Sequence, residues 1–370
     1  MNRKFLLVTT LCAISVIVGC SKKEERVPLE DIGLVGIMAF DYIDEASVKL
    51  SVAIPQYSRD AQEDTQIFTV STDLISKGIV DIEALSDKKI LFNQLRVILI
   101  NEEFARKGKV QKLMEYLYRN PESGDKVLIA VVKGTAEELL NADYPDKPNI
   151  NFYLNDLLEP TINTAFNPNT NIHDFIYTAT NPVIDPIMPV IEIKENNIDI
   201  IGVALFKDKN MVETIQPEEA LIIQDLQQRN KLAPLSLELH QGHGTEKIML
   251  DLVKSKVHIK SNKNIKSPKL TITLNVKGTL AEYKGERYMT LNSLENLTKL
   301  ENDINKQMKE NITRFLDKLK EQKIDPIGFS ENFRMYYNGK WTKKMTKETM
   351  SKIKFDIQVD TSIISTGILN

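Results

Sequence analysis

The chain has 370 residues, of which 42% are hydrophobic and 27% charged, and its formal net charge is −3. These values are typical of a globular protein with room for two or three domains. The mild acidity gives no support for nucleic-acid binding, nor for broad electrostatic adhesion to anionic lipid.

The first residues are typical of a secretory signal peptide, residues 1–19. Arg3 and Lys4 precede an apolar run from Phe5 to Val18 that is too short to span a bilayer comfortably. A small residue and a cysteine end this run, as in the lipobox of bacterial lipoproteins, where the thiol accepts a diacylglyceryl group before cleavage. The lipobox residues are Ile17, Val18 and Gly19, and the lipid-attachment residue is Cys20.

This interpretation uses both cysteines of the chain. Cys12 leaves with the signal peptide, and Cys20 becomes the first residue of the mature protein, carrying S-diacylglycerol and an N-palmitoyl group. The mature chain then has no free thiol, which excludes disulfides and thiolate metal sites. Residues 20–26 form the lipid anchor and a charged spacer. Several acyl chains together hold a domain firmly at a membrane without a transmembrane helix.

Residues 27–140 predict an N-terminal α/β domain. The segments Ile32–Tyr42 and Ser47–Tyr57 predict two paired strands, because apolar and polar residues alternate in the second. The segment Asp64–Leu85 changes to a helical period. The remainder predicts a strand over Val97–Ile100 that runs into a helix ending near Gly108, a helix ended by Pro121, and a strand in "KVLIAVVKG".

Residues 141–197 are rich in proline and asparagine. Proline removes a backbone donor and disfavours helical conformation in the residue before it, so long regular elements are not expected here. We interpret this part as an irregular connecting region, or a middle subdomain shared with part of the N-terminal unit. One short helix is predicted at "NFYLNDLLE".

Residues 198–370 predict a C-terminal domain. It begins with two strands over Ile198–Ile215 joined by a turn, followed by a helix with Pro217 in its first turn. Two alternating strands, a long amphipathic helix over about 293–321 and a last strand follow. The apolar stripe of the long helix consists of Leu294, Leu297, Leu300, Ile304, Met308, Ile312, Phe315 and Leu319. The fold class is therefore a multi-domain mixture of α/β and α+β, with mixed β-sheets packed by helices.

Few residue patterns point to chemistry. "LHQGHG" places His240 and His243 three apart on a glycine loop, and with His258 they could ligate zinc, but an exposed loop pair is the better interpretation. Acidic pairs could run general acid–base hydrolysis if their environments separated their pKa values, yet such pairs usually lie on solvated helix faces or at helix starts. These pairs include Asp41 with Asp44, Glu102 with Glu103, and Glu218 with Glu219. We predict no catalytic site, no metal and no cofactor apart from the lipid.

Several of these features together resemble the Ger(x)C family, the lipoprotein C subunits of nutrient germinant receptors in spore-forming bacteria. They are the lipobox, the first strand "IGLVGIMAFD", the segment "GVALFKDKNMV" and the closing block from the long helix to Gly367. The family has an Asp-x-x-Gly-Phe step after the helix, which Asp325, Gly328 and Phe329 match. Two departures concern Ser21, where many relatives have tryptophan, and the polar run "TKKMTKE" after Trp341, where relatives have aromatic residues.

The resemblance implies a non-enzymatic subunit on the outer face of the spore's inner membrane. Its partners would be the A- and B-type integral membrane subunits, and together they would convert nutrient binding into germination. Direct contact of this subunit with the germinant is left open. The alternative is a solute-binding lipoprotein that delivers a ligand to a transporter, although such proteins have two similar lobes and the two halves here differ in pattern.

Overall fold

A computed structural model describes the chain over residues 28, 31–56, 64–107, 110–120, 124, 126–159, 167–168, 170–227, 232–241, 244–285, 291 and 293–365. Within these ranges, no helix combines the length and the apolar character needed to cross a bilayer. The helices are α1 (Ile75–Leu85), α2 (Glu102–Arg106), α3 (Val110–Arg119), α4 (Ala136–Asn141), α5 (Ile150–Leu158), α6 (Ile172–Thr180), α7 (Pro217–Leu226), α8 (Leu294–Gln322), α9 (Glu331–Arg334) and α10 (Lys343–Lys352).

The strands form an eight-stranded sheet, a four-stranded sheet and a small parallel pair. The large sheet has the order β10-β9-β8-β7-β6-β2-β3-β4, the smaller one β11-β12-β13-β14, and β1 pairs with β5. The strands are β1 (Ile32–Leu34), β2 (Ile37–Tyr42), β3 (Val48–Pro55), β4 (Thr65–Thr72), β5 (Lys89–Leu91), β6 (Val97–Asn101), β7 (Leu128–Val132), β8 (Ile187–Lys194), β9 (Asn197–Lys207), β10 (Asn210–Ile215), β11 (Leu235–Gln241), β12 (Gly244–Ser261), β13 (Lys269–Lys284) and β14 (Lys354–Ser365).

The centre of the large sheet is parallel and buried on both faces. β2, β6, β7 and β8 run parallel, and every residue of β6 and β7 is buried, as expected for strands covered by helices on both sides. Helices α1, α2, α3 and α6 cover one face, and α4 and α5 cover the other. The run "VILIN" thus has no polar alternation because both of its faces need apolar side chains.

The smaller sheet is covered on one face by α8, the crossover helix between the parallel strands β13 and β14. Ser293 caps its start by accepting a hydrogen bond from the amide of Asn296, and Lys323 ends it in a left-handed conformation with φ of 57°. Its buried side chains contribute roughly 1.5–3 kcal/mol each by leaving water. They are Leu300, Ile304, Met308, Ile312, Phe315, Leu316 and Leu319.

Strand β9 joins the two halves of the molecule. Ala204 and Phe206 point into the core between the large sheet and its first helix layer, whereas Val203 and Leu205 belong to the core of the C-terminal half. This division follows from the two-residue period of a strand, which sends alternate side chains to opposite faces. A single strand of the large sheet is therefore also a wall of the second core.

Most of the elements expected from the sequence are present, including the β2–β3 hairpin, α5, the β9–β10 hairpin, α7, β12, β13, α8 and β14. The mixed α+β fold class is confirmed. The structure differs at β4, which lies where only helical periodicity was expected, and at α6, which lies in the region interpreted as irregular. Leu74 and Leu85 were expected to pack with α1, and Leu294 with α8, but all three are exposed.

The large sheet does not end where the C-terminal domain was predicted to begin. The predicted boundary at residue 198 falls inside the β8–β9 hairpin, in which Ile193 pairs with Ile198. Because β8, β9 and β10 continue the sheet that begins with β2, residues 187–215 form one structural layer with the N-terminal half.

Candidate functional site at the junction of the two sheets

The loop after α8 is organised around a buried carboxylate. Asp325 is fully buried, and its two oxygens accept hydrogen bonds from the amides of Gly328 at 2.7 Å, Phe329 at 2.9 Å and Ser330 at 2.8 Å. Gly328 has a φ of 86°, in the left-handed region that side chains disfavour. Phe329 is buried against the ring of Phe355, with centroids 5.1 Å apart. The three residues of the Asp-x-x-Gly-Phe step therefore have different structural roles. Asp325 accepts hydrogen bonds, Gly328 adopts a left-handed conformation and Phe329 packs in the core.

A second aspartate ties this loop to the N-terminal half. The Asp325 amide donates to the Asp185 carboxylate at 2.7 Å, and the Asp185 amide donates to the Asp325 carbonyl at 2.9 Å. Asp185 lies just before β8 and its side chain is 3% exposed. Lys343 of α10 pairs with its other oxygen at 2.8 Å and also donates to the carbonyl of Ile184. An ion pair between a buried aspartate and a half-buried lysine, with several backbone partners, thus links three segments that are far apart in sequence.

Further polar contacts surround this link. The Trp341 indole donates to the Thr346 hydroxyl at 2.8 Å, and that hydroxyl donates to the carbonyl of Pro182. Lys347 pairs with Asp208 of the β9–β10 turn at 2.6 Å. The polar run after Trp341 therefore forms α10 and supplies Lys343, Thr346 and Lys347, which reach across the junction.

The environment of the junction raises the pKa of the Asp325 carboxyl group. Burial raises the pKa of Asp325 to about 6, and the amides of Ser330 and Phe329 oppose this by stabilising the carboxylate. The nearby Asp185 raises the pKa further because two carboxylates repel each other. The ammonium of Lys343 on the far side of Asp185 compensates that second charge.

A small groove of about 180 Å³ opens beside this link. Its walls come from both halves of the molecule and offer hydroxyl, carboxamide, carboxylate and apolar groups. This mixture suits ordered water or a small polar molecule. The lining residues include Tyr177, Thr178, Asp185, Ile187, Gln227 and Pro326.

The anchor residues predicted from the sequence lie outside the described part of the chain. This applies to Cys20 and to the lipobox residues Ile17, Val18 and Gly19. His243 also lies outside it, whereas His258 is exposed on β12. In the described ranges, no group of three or more His, Cys, Asp or Glu side chains is placed to hold a metal ion.

Two of the acidic residues named in the sequence act as separate backbone caps. Asp41 is buried and accepts hydrogen bonds from the amides of Ala136 and Glu137, which start α4. Asp44 accepts from the amides of Ala46 and Ser47 in the β2–β3 turn. Asp41 and Asp44 therefore stabilise two different segments, the start of α4 and the β2–β3 turn.

The acidic pairs at helix starts also have structural partners. Glu102 pairs with Arg106 one turn later in α2. Glu219 accepts from the amide of Gln216 at the start of α7 and pairs with Lys318 of α8 at 3.2 Å. Such placement follows from the partial positive charge at helix N-termini.

The contacts made by Asp185, Lys343 and Thr346 were missed by reasoning from sequence. Asp185 precedes a proline in a proline-rich segment, which reads as a turn, and Lys343 lies in a polar run. Asp185 and Asp325 are 140 positions apart, so no local pattern could pair them. The available signal was the Asp-x-x-Gly-Phe step, which marks one side of the junction.

The fold and this junction define a mixed α+β protein whose two sheets are locked together by a buried aspartate loop. Two family models match consecutive parts of the chain, "Spore germination protein N-terminal domain" over residues 25–193 and "Spore germination B3/ GerAC like, C-terminal" over residues 201–367. The chain belongs to the Ger(x)C family of spore germination proteins.

Individual relatives agree with this assignment. The chain is 26% identical to the spore germination protein GerQC of Bacillus cereus over 95% of its length and 96% of that protein. It is 20% identical to the spore germination protein KC of Bacillus subtilis, covering 100% of this chain and 98% of that one. The crystal structure of the GerBC protein has the same fold, with a TM-score of 0.57 and 18% identity, over 88% of this chain and 96% of that chain.

Proposed function

We propose that this protein is a membrane-anchored, non-enzymatic subunit of a nutrient germinant receptor, which acts with A- and B-type integral membrane subunits to trigger spore germination. The observation that carries the proposal is the match of both family models, which together span residues 25–193 and 201–367. The two relatives described above, from Bacillus cereus and Bacillus subtilis, are spore germination proteins.

The proposed location is the outer face of the spore's inner membrane. The lipobox supports a lipid on Cys20, and the charged residues after it support a short spacer at the membrane surface. Because each buried methylene contributes roughly 0.8 kcal/mol, a cysteine carrying several acyl chains holds the chain at the membrane.

The junction supports a role in transmission rather than in chemistry. The buried Asp325 and Asp185 and the half-buried Lys343 hold two sheets in a fixed relation. Asp41 and Glu219, two of the acidic residues considered for catalysis, are engaged in capping and in an ion pair. A subunit with a rigid connection between its halves can pass a movement from one partner to another. We therefore assign the two halves to a single body in the receptor.

The function is tested by deleting the gene in a strain that lacks the other receptors of this family. Spores of the deletion strain should fail to respond to at least one nutrient to which the parent responds, while vegetative growth stays normal. The measurement is the fall in optical density of a spore suspension after nutrient addition. A response equal to that of the parent for every nutrient would overturn the proposal.

The proposed partners are tested by affinity purification. A tagged copy of the chain, solubilised in mild detergent from spore membranes, should bring down both integral membrane subunits. A matched strain with an unrelated tagged spore lipoprotein provides the control. Recovery of neither subunit above that control would contradict the receptor assignment.

A further inference from the structure

The C-terminal sheet carries a concentration of positive charge that the net charge of −3 conceals. Between Asp251 and Glu282 the sequence contains no acidic residue. The same stretch, which covers most of β12 and β13, contains seven lysines: Lys254, Lys256, Lys260, Lys263, Lys266, Lys269 and Lys277.

Four of these lysines share one face of the sheet, and two lie at the hairpin tip beside it. On β12 the residues Val253, Val257 and Leu250 are buried toward α8, so the intervening side chains stand on the opposite, exposed face. The register places Lys254 opposite Lys277 on that face. We call the exposed set the lysine face: Lys254, Lys256, Lys260 and Lys277 on the strands, with Lys263 and Lys266 at the hairpin tip.

Acidic side chains near this face lie only at its margins, so they neutralise little of its positive charge. Asp356 of β14 pairs with Lys269 at 3.2 Å, and Asp360, also on β14, lies opposite Asn275. Glu238 of β11 pairs with Lys247, beyond the acid-free stretch. Asp251 of β12 lies at the other margin, opposite Thr279 and one register step before the Lys254–Lys277 pair. The groups between these margins are hydroxyls, amides and His258. The lysines on the outer half of β12 therefore face solvent as a group.

An exposed aromatic segment adjoins the tip of this face. Met335, Tyr336 and Tyr337 follow α9 and are 60%, 51% and 39% exposed. The ammonium of Lys263 lies 4.4 Å from the centre of the Tyr336 ring, so the aromatic segment and the lysine face meet. Side chains with an apolar body and a polar tip, beside lysines, suit the boundary between lipid headgroups and acyl chains.

We propose that the lysine face and residues 335–337 form a docking surface for an anionic phospholipid bilayer. Three observations favour lipid over an acidic protein surface. The cations are all lysines, whose compact charges need no matched geometry, whereas arginine predominates where planar carboxylates are recognised in pairs. The charge is spread over an open sheet face, and the adjoining exposed side chains are amphipathic. The proposal rests on the membrane location proposed above, but not on the lipid at Cys20.

The experiment uses the chain from Ser21 onward, which keeps every described residue and carries no lipid. Sedimentation with vesicles of phosphatidylcholine and phosphatidylglycerol at 3:1 should show binding that pure phosphatidylcholine does not support. Binding should fall when NaCl is raised from 50 to 500 mM, because salt screens exposed charges. The chain's single tryptophan, Trp341, packs on Tyr337 with ring centroids 5.7 Å apart, so its emission reports on the same surface.

Charge removal on the face tests the site. Lys256→Gln/Lys260→Gln/Lys263→Gln should weaken binding to the anionic vesicles at least about tenfold, since each lysine near such a surface contributes measurably. A matched control removes three positive charges from the solvent side of α8, across the core from the lysine face, and should bind as the unmodified chain does. The control substitutions are Lys306→Gln, Lys309→Gln and Arg314→Gln.

A third variant tests the aromatic segment. Met335→Ser/Tyr336→Ser should reduce the binding that remains at 500 mM NaCl, because that remainder depends on apolar contact. Equal sedimentation with both vesicle types, or equal losses in the lysine variant and its control, would overturn the proposal. Failure here would leave the germination phenotype and the lipid on Cys20 untouched, since neither takes part in this assay.

Discussion

Asp325 shows how much one buried side chain can organise. It satisfies three backbone amides in the loop after α8, and its own backbone exchanges hydrogen bonds with Asp185. A buried donor left without a partner costs about 1–3 kcal/mol, so the loop depends on this carboxyl group. The Asp-x-x-Gly-Phe step locates this loop in the sequence, and the buried contacts of Asp325 explain why the loop needs an aspartate there.

Asp325→Ala is expected to lower the free energy of unfolding by about 3 kcal/mol or more, because three amides lose their acceptor. Urea unfolding followed by circular dichroism measures the change. The control is Asp317→Ala, an exposed residue of α8 whose removal should cost less than about 1 kcal/mol. Equal effects of the two substitutions would show that the Asp325 hydrogen bonds do not hold the loop.

A second buried carboxyl makes stability depend on pH. Burial raises the pKa of Asp225 on α7 to about 6, and the Ser255 hydroxyl opposes the rise. The ordinary value is 3.8, so between these values the folded protein binds more protons than the unfolded chain. Because of this group, the free energy of unfolding falls as the pH rises from about 4 to about 6. Above that range the decrease is complete.

Asp225→Asn removes this titration. The variant should gain stability relative to the wild type as the pH rises from 4 to 7, by on the order of 2 kcal/mol. Urea unfolding at pH 4, 5, 6 and 7 measures the gap. Asp317→Asn serves as the control, and its stability difference from the wild type should not change with pH. A gap that stays constant over this range would contradict the account.

At the scale of elements, hydrophobic patterns predicted a helix or strand correctly where each of its faces is uniformly buried or uniformly exposed. β6 and β7 are buried on both faces and read as unbroken apolar runs, and α8 has one buried stripe. β4 was missed because it is the edge strand of the large sheet, and most of its residues are only half-buried. α6 was missed because nearby prolines suggested irregular structure, although Asn171 caps it.

The stripe of α8 is tested by placing a charge in it. Ile312→Lys should destabilise the protein by several kcal/mol, because Ile312 is 3% exposed and an unpaired buried charge is costly. Thr313→Lys adds the same charge at the adjacent exposed position and should change stability by less than about 1 kcal/mol. Thermal unfolding compares the two variants. Wild-type melting of Ile312→Lys would show that the stripe is not part of the core.

At the scale of the whole molecule, the large sheet crosses the boundary that sequence patterns place between the two halves. The family models separate between residues 193 and 201, yet the large sheet continues through this point into β10. Local periodicity cannot reveal which strands pair across a long separation, so neither the sheet order nor the Asp185–Asp325 contact could be predicted. The positive face of the smaller sheet was likewise hidden by the average charge of the chain.

The connection between the halves is tested through Lys343. Lys343→Met leaves the buried carboxylate of Asp185 without its cation and should cost about 2–3 kcal/mol in the free energy of unfolding. The double variant Asp185→Asn/Lys343→Met should recover part of the loss. Lys347→Met breaks the more exposed pair with Asp208 and should cost under about 1 kcal/mol. A loss no larger for Lys343→Met than for Lys347→Met would refute the link.

The central claim is that this chain acts in spore germination from a lipid anchor at the membrane. The most direct measurement is dipicolinic acid release after nutrient addition, from deletion spores complemented with the wild-type chain, with Cys12→Ala or with Cys20→Ala. The account predicts a restored response for the first two and a lost response for Cys20→Ala, together with loss of palmitate labelling. A full response from unlabelled Cys20→Ala spores would contradict it.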